Sequence, residues 1–180
     1  MKFHLIDRIL ELEPGRSLVA VKNLSLTEEY LADHFPGFPV MPGVLMLEAL
    51  TQAGAWLIRE TEDYAHSIIL LRSAKTIKYG SFVEPGRQLR LKVDLQDLGP
   101  RECTLKGEGT CDETVMVRGR FTLERYNLRD KDPALHTTDA FIVAGLRDQC
   151  STLRKGSIGS KALPRPVMVK PAPVEAVSKS

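Results

Sequence analysis

Polar side chains nearly vanish between Gly43 and Ile58, where the run G-V-L-M-L-E-A-L-T-Q-A-G-A-W-L-I offers only Glu48, Thr51 and Gln52. Those three fall at i, i+3 and i+4 and share one helical face. The rest is apolar all round, the mark of a helix enclosed by other structure. Pro36, Pro39 and Pro42 precede it, each fixing φ and disfavouring helix in the residue before it, so Pro42 is expected at the first helical position. Glu48 is expected to be buried beside Gln52. A membrane span is rejected: Val40 to Ile58 is barely long enough, contains Pro42 and Gly43, and carries Glu48 near its middle.

Around this helix the pattern changes to period two. Ser17 to Leu24 is rich in Val and Leu after the Pro14-Gly15 turn, and Ser67 to Arg72 is a short apolar run. Gln88 to Asp97 sets Leu89, Leu91, Val93 and Leu95 against Arg90, Lys92 and Asp94, and Gly99-Pro100 turns the chain back. Cys103, Leu105, Gly107 and Gly109 then oppose Glu102, Lys106 and Glu108. After Asp112-Glu113, Val115, Val117, Phe121 and Leu123 oppose Met116, Arg118 and Arg120. Three alternating strands in succession describe an antiparallel meander with one wet face. A helix of about 18 residues runs roughly 27 Å, enough to cross several strands about 4.8 Å apart. The fold class is therefore α+β, with an antiparallel sheet wrapped around one long central helix.

Beyond Tyr126 the texture shifts. Residues 1–127 read as the main domain and 128–155 as an extension in which Thr138 to Leu153 forms a helix with Ile142, Leu146, Cys150 and Leu153 in one stripe. Residues 156–180, rich in Pro, Ser and Lys, are expected to be disordered. The 180 residues, 43% hydrophobic, suit one ordinary core plus this extension.

Charge narrows the function. Residues 1–126 hold 16 Lys+Arg against 18 Asp+Glu, and residues 127–180 hold 9 against 5, so only the tail is basic. A balanced core argues against nucleic-acid binding. Cys103, Cys111 and Cys150 form no CxxC pair and have no histidine at metal-ligand spacing, so they read as core residues, and neither a metal nor a cofactor is expected. Asp7 and Arg8 interrupt the first apolar run before a secretory segment could form, which gives a cytoplasmic expectation.

The chemistry lies in HFPGFPVMPGVLMLEALTQ, His34 to Gln52. One histidine in a proline-clamped loop and one carboxylate on an apolar helix form a complementary pair. A neutral imidazole can take a proton, and a carboxyl group in dry surroundings keeps one to give. Each residue taken alone also fits a packing role; His4, His66 and His136 have no partner motif and read as surface or loop residues.

That segment resembles the active-site run of the hot-dog-fold 3-hydroxyacyl-[acyl-carrier-protein] dehydratases of type II fatty acid synthesis. The likeness continues in F-H-L-I-D-R-I-L-E-L-E-P-G from Phe3, A-V-K-N-L-S from Ala20 and V-E-P-G from Val83, covering roughly residues 3 to 126. It implies a hot-dog fold, a homodimer with two central helices flanked by a shared sheet and sites at the interface, and in many members a trimer of dimers. It places the catalytic roles on His34 and Glu48 and the helix-start glycine at Gly43. Glu48, where a related isomerising branch has Asp, favours simple dehydration.

For that reaction His34 is assigned as general base and Glu48 as the acid at the departing hydroxyl. Backbone N–H groups at the helix start, Gly43 chiefly and Val44, are assigned to the thioester oxygen, where unpaired donors favour negative charge. Gln52 is assigned a supporting role beside Glu48. The acidic acyl carrier protein implied as partner needs a basic face, for which Lys75, Lys78, Arg72 and Arg87 are candidates, with Tyr79 at the tunnel side. Phe38, Phe82 and Arg87 depart from the family pattern and suggest a divergent acyl preference or role. A hot-dog thioesterase and a non-catalytic acyl-thioester-binding homologue are the alternatives.

Overall fold

The structure, a computed structural model, describes residues 3–34 and 37–155; the tail predicted as disordered, 156–180, lies outside the described residues. The elements run β1 (Arg8–Glu13), β2 (Ser17–Asn23), α1 (Tyr30–Asp33), α2 (Gly43–Thr61), β3 (Ile68–Tyr79), β4 (Gln88–Leu98), β5 (Glu102–Cys111), β6 (Thr114–Tyr126) and α3 (His136–Arg154), with two short 3-10 turns before α3. Six strands form one antiparallel sheet in the order β1-β2-β4-β5-β6-β3. The β4-β5-β6 meander is the one the alternation describes.

The apolar face of the sheet closes on α2. Leu89, Leu91 and Val93 of β4, Leu105 of β5, and Val117 and Leu123 of β6 are all fully buried, as are Leu50, Leu57 and Ile58 of the helix. Each such side chain withdrawn from water contributes about 1.5–3 kcal/mol before the entropy of ordering is set against it. The approach is close because β5 carries glycines at 107 and 109 on its inner face. A Cβ on Gly107 would lie 3.0 Å from Phe121 and 3.1 Å from Leu50. Gly54 on the facing helix does the same, meeting Leu105 at 3.1 Å and Phe121 at 3.2 Å.

Three elements differ from the sequence reading. Strand β1 and the one-turn α1 have too few apolar positions to stand out in the pattern, and β1 carries a register shift between Ile9 and Glu11 that breaks its period. Strand β3 runs on to Tyr79, seven residues past Arg72, through Lys75, Thr76 and Lys78. It is an edge strand with much of its length exposed, so polar residues are tolerated there, and shifts near Leu71 and Lys75 interrupt its alternation. Pro42 is the N-cap of α2, with φ −55° and ψ 138°, rather than its first helical residue.

The extension docks on the same core. Asp139 of α3 is buried and accepts from the Ser67 hydroxyl and from the N–H groups of Leu128 (2.9 Å) and Arg129 (3.0 Å). Burial alone would raise its pKa, but these hydrogen bonds outweigh it and hold the carboxyl below the usual range. Cys150 and Leu153 join the main cluster, and burial pushes the Cys150 thiol up to about 11. Glu60 of α2 accepts from Tyr64 at 2.8 Å and pairs with Arg154 at 3.3 Å. All three cysteines are free and buried. Among the described residues no helix is long and apolar enough to cross a membrane.

Candidate active site

The start of α2 is shaped by its three prolines. Pro42 caps it in an extended conformation, and its carbonyl accepts from Leu45 (2.9 Å) and Met46 (3.2 Å). The N–H groups of Gly43 and Val44 therefore precede the first intrahelical bonds, as helix-start donors do. Tyr79, at the end of β3, lays its ring on Gly43: a Cβ there would sit 3.1 Å from its Cε1 and 3.2 Å from its Cδ1. Val44 is 69% exposed. The structure thus joins Gly43, Val44 and Tyr79 in one place. An anion brought to it would meet unpaired donors and the positive end of the helix dipole.

One and a half turns on, Gln52 Nε2 donates to Glu48 Oε1 at 3.0 Å. Gln52 is itself anchored, its Oε1 accepting from the Leu5 N–H at 2.9 Å and its Nε2 also reaching the Phe3 carbonyl at 3.2 Å. Glu48 is half-buried, less enclosed than expected, because the N-terminal half of α2 is not fully covered by its own sheet: Val44 is exposed and Leu47 only partly buried. Thr51, on the same side, is buried with its hydroxyl unpartnered among the described atoms.

His34 caps the C-terminal end of α1 in an extended conformation, φ −111° and ψ 110°, and is half-buried. It stands at the head of the loop that leads to α2, while the Glu48 side chain bonds Gln52. That loop is clamped to the segment after β3 by the Met41 N–H donating to the Val83 carbonyl at 2.8 Å. Phe38 and Phe82 meet across the same two segments, edge to face at 5.6 Å, and remain about half exposed.

Lys75 and Lys78 are separated from Tyr79. Lys75 pairs with Arg120 and Lys78 with Arg118, placing all four on the outer face of the sheet, whereas Tyr79 pairs with Val117 on the inner face. Arg72 approaches Glu102 at 3.7 Å and Arg87 pairs with Asp112 at 3.1 Å, so both are engaged in surface ion pairs. The sequence reading missed the two backbone groups of the N-terminal segment that hold Gln52. No side-chain signal marks them. It also saw Arg118 and Arg120 only as a wet face, although their alternation with Val117 and Phe121 already put them there.

Comparison with known proteins gives the family. Residues 1–120 match the FabA-like domain family. A protein of Herpetosiphon aurantiacus named 3-hydroxyacyl-[acyl-carrier-protein] dehydratase FabZ is 39% identical over 117 residues, covering 65% of this chain and 83% of that protein. A protein of the same name from Symbiobacterium thermophilum is 47% identical over 93 residues, 52% of this chain and 66% of its own. Among solved structures, the dehydratase heterocomplex ApeI:P from Xenorhabdus doucetiae superposes with a TM-score of 0.60 at 17% identity, covering 74% of this chain and 90% of that one, a likeness of fold. On the length of the family match and the identity to these relatives, the chain belongs to the FabA-like, hot-dog-fold family of 3-hydroxyacyl-[acyl-carrier-protein] dehydratases.

Proposed function

We propose that the chain removes water from (3R)-3-hydroxyacyl thioesters carried on acyl carrier protein, giving trans-2-enoyl thioesters for fatty acid or related lipid synthesis. The observation that carries this reading is the Glu48–Gln52 pair at 3.0 Å, set behind a helix start whose first N–H groups precede the intrahelical bonds. The relatives that bear the dehydratase name supply the reaction class.

In this reading the thioester oxygen meets the N–H of Gly43, with that of Val44 beside it, so that charge developing on the oxygen falls on fixed donors. His34 takes the proton from the α-carbon. The Cα–H electron pair forms the double bond, the β-carbon–oxygen bond breaks, and Glu48 delivers its proton so that the hydroxyl leaves as water. The proton on His34 returns to Glu48 through solvent. Tyr79 walls the entrance.

We assign the working unit as a homodimer. Strand β3 offers a free edge with Leu70 and Leu71 exposed, and the uncovered stripe of α2 carries Val44, Leu47 and Glu48. A second copy would cover both and dry the acid. Lys75 opposite Arg120 and Lys78 opposite Arg118 are like charges on paired strands, an arrangement that costs stability unless an acidic partner covers it. We assign that face to the carrier protein, within the cytoplasmic setting expected from the sequence.

The test is the ultraviolet absorbance of the conjugated enoyl thioester, followed in either direction across a ladder of acyl chain lengths. Turnover lost in His34→Ala and Glu48→Gln is the expected result. A wild-type protein inactive at every chain length, or one that releases free thiol instead, refutes the reading.

A further inference from the structure

We propose that the backbone N–H of Leu5 fixes which oxygen of Glu48 carries the catalytic proton, with Gln52 as the positioning residue between them. The inference rests on the dehydratase reading and deepens it.

An amide side chain has two ends of nearly equal shape, and its orientation is set by what surrounds it. Here two of the partners allow no ambiguity. The Leu5 N–H can only donate, and it lies 2.9 Å from Gln52 Oε1. The Phe3 carbonyl can only accept, and it lies 3.2 Å from Gln52 Nε2. The amide nitrogen has two hydrogens, and with one on Phe3 the other falls on Glu48 Oε1 at 3.0 Å. Oε1 of the acid is thereby an acceptor. A proton carried by the Glu48 carboxyl is then on Oε2, the oxygen turned away from Gln52 and free for the substrate.

The opposite orientation shows why this matters. With the amide turned over, its oxygen would face Glu48 and accept the carboxyl proton, holding it on the inner side. The acid would keep its proton and be unable to deliver it.

The segment that fixes the amide is itself held. Leu5 is 1% exposed, part of the main core. Phe3 packs edge to face on Tyr30 of α1 at 6.2 Å, and α1 ends at His34. The backbone N–H of Asp7 donates to the Val21 carbonyl at 2.9 Å, tying the segment to β2. One short stretch of chain thus touches the helix that bears the acid and the turn that bears the base.

The experiment compares Leu5→Pro, which lacks the N–H, with Leu5→Ala, which keeps it; both lose packing, so the ratio of their kcat values reads the hydrogen bond. Leu5→Pro is expected to fall roughly tenfold or more below Leu5→Ala in kcat, with KM within about twofold. Its kcat–pH profile should also lose activity at a higher pH than wild type does, because a carboxyl that donates its proton to an amide oxygen is favoured in the neutral form. A lower plateau with an upward-shifted basic limb is a signature that lost packing does not produce.

Gln52→Glu provides the same reading should Leu5→Pro fail to fold. Two carboxyl groups at hydrogen-bond distance share one proton between them, which again lowers the plateau and raises the basic limb. Equal kcat and equal limbs for Leu5→Pro and Leu5→Ala, or a Gln52→Glu profile that matches wild type, overturn the inference alone. A wild type without hydroxyacyl turnover overturns the dehydratase reading instead.

Discussion

Replacing Gly43 by Ala separates stability from activity at the helix start. The added methyl would lie 3.1, 3.2 and 3.4 Å from three carbons of the Tyr79 ring, so the ring must give by a few tenths of an ångström. Tyr79 is 49% exposed at the end of an edge strand and has room to do so. Overpacking into fixed walls costs about 1–3 kcal/mol, and a movable ring brings the cost to the bottom of that range. Ala is the better helix former by about 0.8–1 kcal/mol in a helix interior, somewhat less at an end. The two nearly cancel, and the melting temperature is expected to move by less than about 4 °C for a chain of this size. Activity follows another rule. The methyl takes the space beside the Gly43 N–H and pushes the ring that walls it, and loss of one such donor lowers kcat by about 10²–10³-fold, or roughly 2.7–4 kcal/mol. Thermal melts by circular dichroism and enoyl-thioester hydration on the same sample decide the matter. A variant that melts normally and retains wild-type turnover refutes the oxyanion role of Gly43; one that melts more than about 10 °C lower refutes the steric accounting.

Mixing His34→Ala with Glu48→Gln, each inactive alone, should restore about a quarter of wild-type turnover if each site takes its histidine and its carboxylate from different subunits of a dimer, since random pairing makes half the dimers mixed and gives each one intact site. No recovery after subunit exchange would place both groups of a site on one chain. Arg125 is almost fully buried and lies 2.8 Å from Glu62 at the end of α2, so Arg125→Met should cost about 3–5 kcal/mol in chemical denaturation, with Glu62→Gln partly compensating in the double variant. A loss below about 1 kcal/mol would show the pair to be ordinary surface chemistry. Asp139 has its carboxyl held below the usual range, so its contribution is present above the unfolded-state value and is lost as pH falls through the lower folded value. Asp139→Asn should accordingly flatten the acid side of the melting-temperature profile, and an unchanged slope there would exclude Asp139 as the group responsible.

What the sequence revealed follows from how locally each feature is encoded. The helix from Gly43 and the β4-β5-β6 meander were legible because alternation or an apolar run persists over most of each element. The glycines at 107 and 109 fell on the inner face, but shifts near Leu95 and Gly109 break the period, and Met116, set on the wet face by alternation, is buried. Strand β3 was cut short because an edge strand has one unpaired side, where Lys75, Thr76 and Lys78 cost little. Strand β1 was lost to its register shift. In the site, Glu48 and Gln52 were readable as a pair because four residues on a helix is a contact. The bonds from Phe3 and Leu5 to Gln52 were not, since backbone groups 47 and 49 residues away leave no mark on side-chain pattern. Lys75 and Lys78 were drawn together with Tyr79 by nearness in sequence, but the pleat sends Lys78 to the opposite face, and the register shift between Lys75 and Lys78, which sequence does not show, sends Lys75 there too.

The half-covered acid follows from the same geometry. A lone chain encloses the C-terminal half of α2 completely, from Ala53 through Ile58, yet leaves Val44 exposed and Leu47 and Glu48 only partly buried. If α2 served only as a core, its apolar N-terminal half would be a defect, because exposed valine and leucine gain nothing from contact with water. The other edge this chain leaves open is that of β3, and the two unfinished surfaces meet where Tyr79 lies on Gly43. A partner that adds a strand to β3 and covers α2 would complete both at once. It would also move Glu48 from partial to full burial. On the proposed dimer, a chain held monomeric by substitution along Leu70 and Leu71 should lose turnover while keeping its fold, and full turnover in such a monomer would refute it.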